Sequence, residues 1–165
     1  MSITNLSGGG SGSSLPTGTL AHTYYVLASD QSVISSTTYV NATGLAFSVV
    51  SGGVYLFEHN LITETGATGL FKAQLLASAT VNMGATNWGT GASSPSSFSA
   101  TTAVTASGTT VQIHVAAGQH NRSIGRGFIY ATNAATMNVQ FAQMSTEAVN
   151  TTLKAGSWIS VTRLK

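Results

Sequence analysis

The chain has 165 residues, a formal net charge of +2, no cysteine, and only 6% charged residues. This length suits one domain with its own core, and the lack of thiols excludes disulfides and thiolate zinc sites. The six basic residues are scattered and form no patch for nucleic acid, while the 42% share of hydrophobic residues excludes a disordered chain.

The N-terminal segment MSITNL is followed by SGGGSGSS at residues 7–14, which has the composition of a flexible linker. We predict an N-terminal arm over residues 1–20 that is either an apolar anchor on a tether or a disordered leader. As an anchor it would contact a partner through Ile3, Asn5, Leu6 and Leu15. The segment lacks the features of a signal peptide, and no apolar run in the chain approaches the ~18 residues of a membrane-spanning helix.

From residue 21 onwards the sequence predicts short strands and no convincing helix. β-Branched and aromatic residues dominate each segment, and Gly, Asn, Ser or Thr turns separate them. The predicted strands cover 22–28, 31–36, 45–50, 54–63, 70–78, 109–117, 127–132, 137–145 and 157–164. So many strands without helical spacers indicate an antiparallel sandwich or barrel over residues 21–165. In the last strand, Trp158 and Leu164 lie on one face, and we predict that Trp158 belongs to the core.

The longest predicted connection runs from residue 82 to residue 108 and carries Trp88 and Phe98 among small residues. A structureless loop of this length is unusual in a compact domain. The segment therefore either contains a further strand, near residues 97–105, or forms a functional surface loop. In the second case Trp88 and Phe98 are the candidate ligand contacts, because exposed aromatic side chains in loops bind sugars or proteins.

Residue types that carry chemistry are few and widely spaced. The four histidines form neither a His-x-His pair nor an HExxH motif, so we expect no metal site. Glu58 and Glu64 would lie ~20 Å apart along one strand, too far to cooperate in glycoside hydrolysis. The sequence contains no Gly-x-Ser-x-Gly elbow and no phosphate-binding loop. We expect no catalytic residue and no cofactor, and interpret the protein as a non-enzyme.

Two segments resemble a framework of strands and turns found in structural proteins of tailed bacteriophages. Residues 29–63, SDQSVISSTTYVNATGLAFSVVSGGVYLFEHNLIT, are similar to the pattern "dQsV.sSTTlv..tgL.f.v..g..Y.fe..l". Residues 137–164, MNVQFAQMSTEAVNTTLKAGSWISVTRL, resemble the end of the same domain, "l.fAQ......tt.l.aGS.l.v.rl". The two segments bracket the predicted strands in the expected order.

The resemblance implies an all-β fold, an antiparallel jelly-roll β-sandwich with about eight or nine strands and a flexible N-terminal arm. It also implies a homotrimer that contacts the major capsid protein or another virion protein on the outer surface of the virion, after synthesis in the host cytoplasm. The favoured function is a capsid decoration (cement) protein, because the domain fills nearly the whole chain. The alternative is a tail-fibre or tail-tip protein that binds a host receptor or surface glycan. Neither function requires nucleic acid or a membrane.

Overall fold

The computed structural model describes residues 20–66, 68, 70–90, 98–116 and 120–165, and all regular secondary structure in these ranges is β-strand. The predicted all-β class is therefore confirmed. The arm residues Ile3, Asn5, Leu6 and Leu15 lie outside the described residues, so the arm stays a prediction. The ten strands are β1 (Ala21–Val26), β2 (Gln31–Val33), β3 (Val40–Val49), β4 (Val54–Glu64), β5 (Phe71–Thr90), β6 (Phe98–Ala116), β7 (His120–Tyr130), β8 (Ala135–Ala142), β9 (Thr151–Leu153) and β10 (Trp158–Arg163).

The strands pair in a nested antiparallel order. β1 pairs with β10, β2 with β9, β3 with β8, β4 with β7, and β5 with β6. The domain is thus one long hairpin that has been rolled up. Further pairing of β10 with β4, of β5 with β8 and of β5 with β7 joins all ten strands into one continuous sheet. We describe this sheet as two halves, the front sheet with the order β1-β10-β4-β7 and the back sheet with the order β3-β8-β5-β6, while β9 pairs with β4 and with β2. This connectivity is a jelly roll, which confirms the fold implied by the resemblance.

The long strand β5 joins the two sheets. Its first half pairs with β8, whereas the half from Asn82 to Thr90 pairs with β7 of the front sheet. The register between β5 and β6 shifts on either side of Val81, and such bulges bend a strand. On the opposite side of the roll, β1 and β3 come into contact, so the structure is nearly a closed barrel.

The course of β5 and β6 also decides between the two predictions for residues 82–108. A further strand is present, because β6 begins at Phe98. The alternative of a surface loop over the whole segment is wrong, since residues up to Thr90 belong to β5. Antiparallel pairing on both edges of β5, with β6 and with β7, holds these small residues in extended conformation.

The core lies between the two sheets and is built from alternate residues of each strand. The Phe71 and Phe141 rings stack there with centroids 5.9 Å apart. At Gly127 a Cβ atom would come within 3.0 Å of the Phe57 ring and of the Gly84 carbonyl oxygen, so glycine is required for this packing. The largest fully buried side chains are Phe57, Phe71, Phe141, Leu27, Leu45, Leu61, Leu75, Met83, Ile129, Met137 and Leu153.

The prediction that Trp158 is a core residue is wrong. Ile159 and Val161 of β10 are buried, whereas Trp158 is only half-buried and Leu164 is exposed. Alternation along the strand places Trp158 on the outer surface of the front sheet, because Ile159 already occupies the inward position.

Candidate functional site: the outer face of the front sheet

The polar residues of the two phage-like segments contact each other where the roll closes. Asp30 forms an ion pair with Lys154, and its Oδ1 accepts a hydrogen bond of 2.7 Å from the Ala155 N–H. These two contacts lower the pKa of the Asp30 carboxyl. Lys154 also lies 3.3 Å from Glu64 Oε2, and hydrogen bonding to the two carboxylates raises the pKa of its ammonium. The "dQ" motif of the first segment therefore meets the "aGS" turn of the second.

The amide of Gln143 is fully buried and uses its oxygen and nitrogen in four hydrogen bonds. Its Oε1 accepts from the N–H groups of Ser36 at 3.0 Å and Glu147 at 3.3 Å. Its Nε2 donates to the carbonyl oxygens of Glu147 at 3.1 Å and Val149 at 2.8 Å. The glutamine of the "fAQ" motif therefore ties the loop after β8 to the loop after β2.

Gln31 and Ser157 act in the same way on neighbouring backbone. The Gln31 amide exchanges two hydrogen bonds, of 2.9 and 3.0 Å, with the N–H and carbonyl groups of Thr43. Ser157 Oγ accepts from the Ile62 N–H at 3.0 Å and lies 3.4 Å from the Ile62 carbonyl oxygen, to which it donates. The polar residues of both sequence motifs thus have structural roles in holding the jelly roll together.

The outer face of the back sheet is mainly polar where its side chains are described. Gln74 donates to Gln140 at 2.8 Å, and Gln140 donates to Asn41 at 2.8 Å, so amides form a ladder across β5, β8 and β3. Leu76 is half-buried among them. The outward polar residues on these strands include Asn41, Ser48, Lys72, Gln74, Ser78, Thr136, Asn138 and Gln140.

The outer face of the front sheet carries large apolar side chains interspersed with polar ones. Six large hydrophobic or aromatic residues protrude from it, with 36–47% of their surface exposed. They are Tyr24, Leu56, Ile62, Ile124, Phe128 and Tyr130. We call the surface that they form together with Trp158, Glu58 and Arg126 the front face. Such a surface is expected to bind a partner, because a large exposed apolar patch on a folded domain usually marks an interaction site.

A pair of opposite charges occupies the centre of the front face. Glu58 of β4 stands directly opposite Arg126 of β7 in the strand register. Residues in this relation have Cβ atoms roughly 5 Å apart, so the two charges are close neighbours. Leu56 and Phe128 form the adjacent pair in the same direction along the strands, and Ile124 lies on the other side of the charges. Asn60 stands opposite Ile124, and its Oδ1 accepts a hydrogen bond of 2.8 Å from Arg122. The central pair therefore has apolar neighbours on one side, and one apolar and one polar neighbour on the other.

Two shallow grooves run on either side of this pair, and Glu58 and Arg126 line both. The first groove has a volume of about 330 Å³, and the second has a volume of about 350 Å³. The first is lined by Leu56, Phe57, Glu58, Gly84, Ala85, Thr86, Arg126, Gly127 and Phe128, and the second by Glu58, Ile124, Gly125, Arg126 and Trp158.

An aromatic cluster borders the front face along β1 and β10. The Tyr24 ring packs edge-on against Trp158 at 5.4 Å and against His22 at 4.8 Å, and His22 hydrogen-bonds Thr162. Ser160 lies between these side chains and is 1% exposed. Its Oγ makes no hydrogen bond within the described part of the chain.

The structure places the two predicted ligand residues in strands. Trp88 lies in β5 opposite Ala100 and Ile124, and Phe98 opens β6 opposite Thr90. The prediction that Trp88 lies in a surface loop is wrong, whereas a ligand role for Trp88 and Phe98 stays a prediction. The described residues contain no group of His, Asp and Glu that could hold a metal ion, and no helix among them could span a membrane.

The front face was not predicted from the sequence, because much of β7 reverses the usual arrangement in which large apolar side chains face the core and small or polar ones face outwards. Small residues point inwards at Ser123, Gly125 and Gly127, and large ones point outwards, among them Ile124 and Phe128. Small residues at every second position of RSIGRGFIY were the signal that could have revealed this arrangement.

Comparison with known proteins gives no assignment. No family model and no curated protein matches the chain. Among solved structures, the chain is similar to one in "Structure of infectious bursal disease virus Gx strain", with 11% identity and a TM-score of 0.25. The match covers 88% of this chain but only 39% of that chain, so this chain spans well under half of its length. Similarity at this level carries no argument about function.

Proposed function

We propose that this protein is a structural component of a tailed-bacteriophage virion, and specifically a capsid decoration protein on the outer surface of the head. The observation that carries the proposal is the position of the residues behind the phage resemblance. Asp30, Gln31, Gln143 and Ser157 all make the hydrogen bonds that close the jelly roll. The residues that carry the resemblance are therefore ones that hold this domain together, which supports a common architecture with those virion proteins.

We further propose that the protein forms a homotrimer of about 50 kDa, three times the 16.8 kDa of one chain. A charged content of only 6% supports self-association, because a surface with so few charges is poorly protected against contact with other proteins. In this proposal the protein has no enzymatic activity and needs no cofactor; its partners are its own copies and the major capsid protein or another virion protein.

Binding to separated virus parts tests the location. Heads and tails would be purified from a virus that encodes this chain but lacks a functional copy, and each would be sedimented with purified protein. We expect saturable binding to heads and no binding to tails. Binding only to tails would support the alternative, a tail-fibre or tail-tip protein for a receptor or glycan. Absence of binding to both would contradict a virion role.

The N-terminal segment provides a second test of the decoration proposal. If Ile3 and Leu6 anchor each copy to a neighbour through a flexible linker, deletion of residues 1–14 should sharply weaken binding to heads, since each contact is multiplied across an oligomer. Thermal unfolding should stay within a few degrees of the intact protein. Unchanged binding by the truncated protein would show that residues 1–14 do not serve as an anchor.

A further inference from the structure

We infer that the front face is the surface through which copies of this chain associate. This inference rests on the proposed self-association and is independent of where the protein sits on a virion. It identifies the front sheet, and not the back sheet, as the contact between copies.

The first argument is the amount of apolar surface. The six protruding residues, each 36–47% exposed, leave roughly 500 Å² in contact with solvent, given the 150–250 Å² of a large aromatic side chain. Summed over the face, where Glu58 and Arg126 separate the apolar side chains, this value is comparable to the largest apolar patch on a typical monomer, about 300–600 Å². It also supplies more than half of the roughly 800 Å² that each partner buries in a standard interface.

The second argument is the charge pattern. The centre of the face carries one acid and one base side by side, and Arg122, which donates to Asn60 at 2.8 Å, adds one further positive charge beside Ile124. A strongly acidic or basic partner gains little from such a surface. Another copy brings the same two charges, and in a ring of copies Glu58 of one chain can meet Arg126 of the next. The flanking Leu56 and Phe128 would exclude water from these contacts and strengthen them.

The third argument is the contrast with the back sheet. Among the back-sheet side chains that the structure describes, the amides of Gln74, Gln140 and Asn41 bond to one another, so this ladder is already paired within the domain. The front face has protruding side chains separated by two grooves of about 330 and 350 Å³. Alternating projections and grooves allow two copies to interdigitate, which is the packing that stable interfaces show.

The test compares one charged substitution on each face by light scattering coupled to size exclusion. Leu56→Arg places a charge among the apolar side chains of the front face, at a position already 47% exposed. Ala46→Arg is the matched control, because Ala46 is an exposed residue of β3 on the outer face of the back sheet. We expect the wild type and Ala46→Arg to remain oligomeric, and Leu56→Arg to elute as a folded monomer of 16.8 kDa.

A charge exchange tests the central pair and changes only exposed polar positions, so it does not depend on how the fold tolerates Leu56→Arg. Glu58→Arg or Arg126→Glu alone should raise the dissociation constant of the oligomer at least tenfold, since like charges then meet between copies. The double variant Glu58→Arg/Arg126→Glu should restore assembly. A monomeric wild type, or a Leu56→Arg variant and single charge variants that stay fully assembled, would overturn the inference. Neither result would affect the head-binding test.

Discussion

Replacement of Gln143 by leucine removes the polar centre of the second phage-like segment while keeping a similar volume. Four backbone groups lose their partner, namely the N–H groups of Ser36 and Glu147 and the carbonyl groups of Glu147 and Val149. A hydrogen bond contributes about 0.5–1.5 kcal/mol net, and a buried group left without a partner costs about 1–3 kcal/mol. Val149 is exposed and can recover water, so the full penalty does not apply to all four groups.

We therefore expect Gln143→Leu to lower the free energy of unfolding by about 2–4 kcal/mol. The corresponding fall in Tm is about 5–15 °C, at roughly 2–4 °C per kcal/mol for a domain of this size. Gln140→Leu is the matched control, because Gln140 makes two side-chain hydrogen bonds on a partly exposed surface. Loss of the Gln140 amide should lower the free energy of unfolding by less than about 1 kcal/mol, since water can replace it at both partners.

The assay is urea unfolding followed by circular dichroism, with all proteins at one concentration because association shifts the midpoint. An unchanged m-value, the slope of the unfolding free energy against urea concentration, would show that the same cooperative unit unfolds in each variant. If Gln143→Leu were no less stable than Gln140→Leu, the four hydrogen bonds would not be the source of stability at this site. The reasoning about the "fAQ" motif would then be wrong.

Three further substitutions test other parts of the structure. Gly127→Ala should destabilise the domain by about 1–3 kcal/mol in urea unfolding, because the new Cβ has no room beside Phe57. A variant as stable as the wild type would show that the neighbouring side chain and backbone can move aside without a loss of stability. Ser160→Ala should be neutral or stabilise by up to about 1 kcal/mol, because it removes a buried hydroxyl that lacks a partner; a clear loss of stability would reveal a hydrogen bond to that hydroxyl. The lowered pKa of Asp30 means that its contribution is present above the ordinary value of 3.8 and is lost as the pH falls through the lower folded-state pKa. The Tm difference between wild type and Asp30→Asn should therefore be largest above pH 3.8 and shrink as the pH falls below it; a difference that is constant with pH would contradict this assignment.

The all-β class could be predicted from composition and alternation, but the strand pairing could not. In β4, Tyr55, Phe57 and Leu61 are buried at alternate positions, and the same period of two is visible in the sequence. That signal says nothing about which strands are neighbours. The jelly-roll fold was implied only by the resemblance of the two phage-like segments, whose polar residues join distant parts of the chain.

The extended course of residues 82–90 could not be derived because local composition opposes it. Gly84 and Gly89 favour turns in a sequence read by itself. The segment is nevertheless a strand, since β6 and β7 pair with it from both sides. Strand formation here depends on tertiary neighbours more than on intrinsic preference.

The candidate site was missed for a related reason, which is that both faces of the front sheet carry apolar residues. In β10, Trp158 and Ile159 are adjacent and only one can face the core. The larger side chain was assigned to the interior, although the space there is filled by rings such as Phe57. Knowing which face is inside requires knowing what the opposite sheet already occupies.

The nested order of the strands also determines when the domain can form. β5 and β6 are neighbours along the chain and can pair early, and each pair that closes shortens the loop for the next one outwards. The outermost pair joins Ala21 to Arg163, so the fold is dominated by contacts between distant residues and should form slowly. On a ribosome, β1 emerges before the other described strands but has to wait for β10 before it can pair. Of the described strands, the one synthesised earliest is therefore the last to reach its place, and until then its tyrosines are open to other nascent chains.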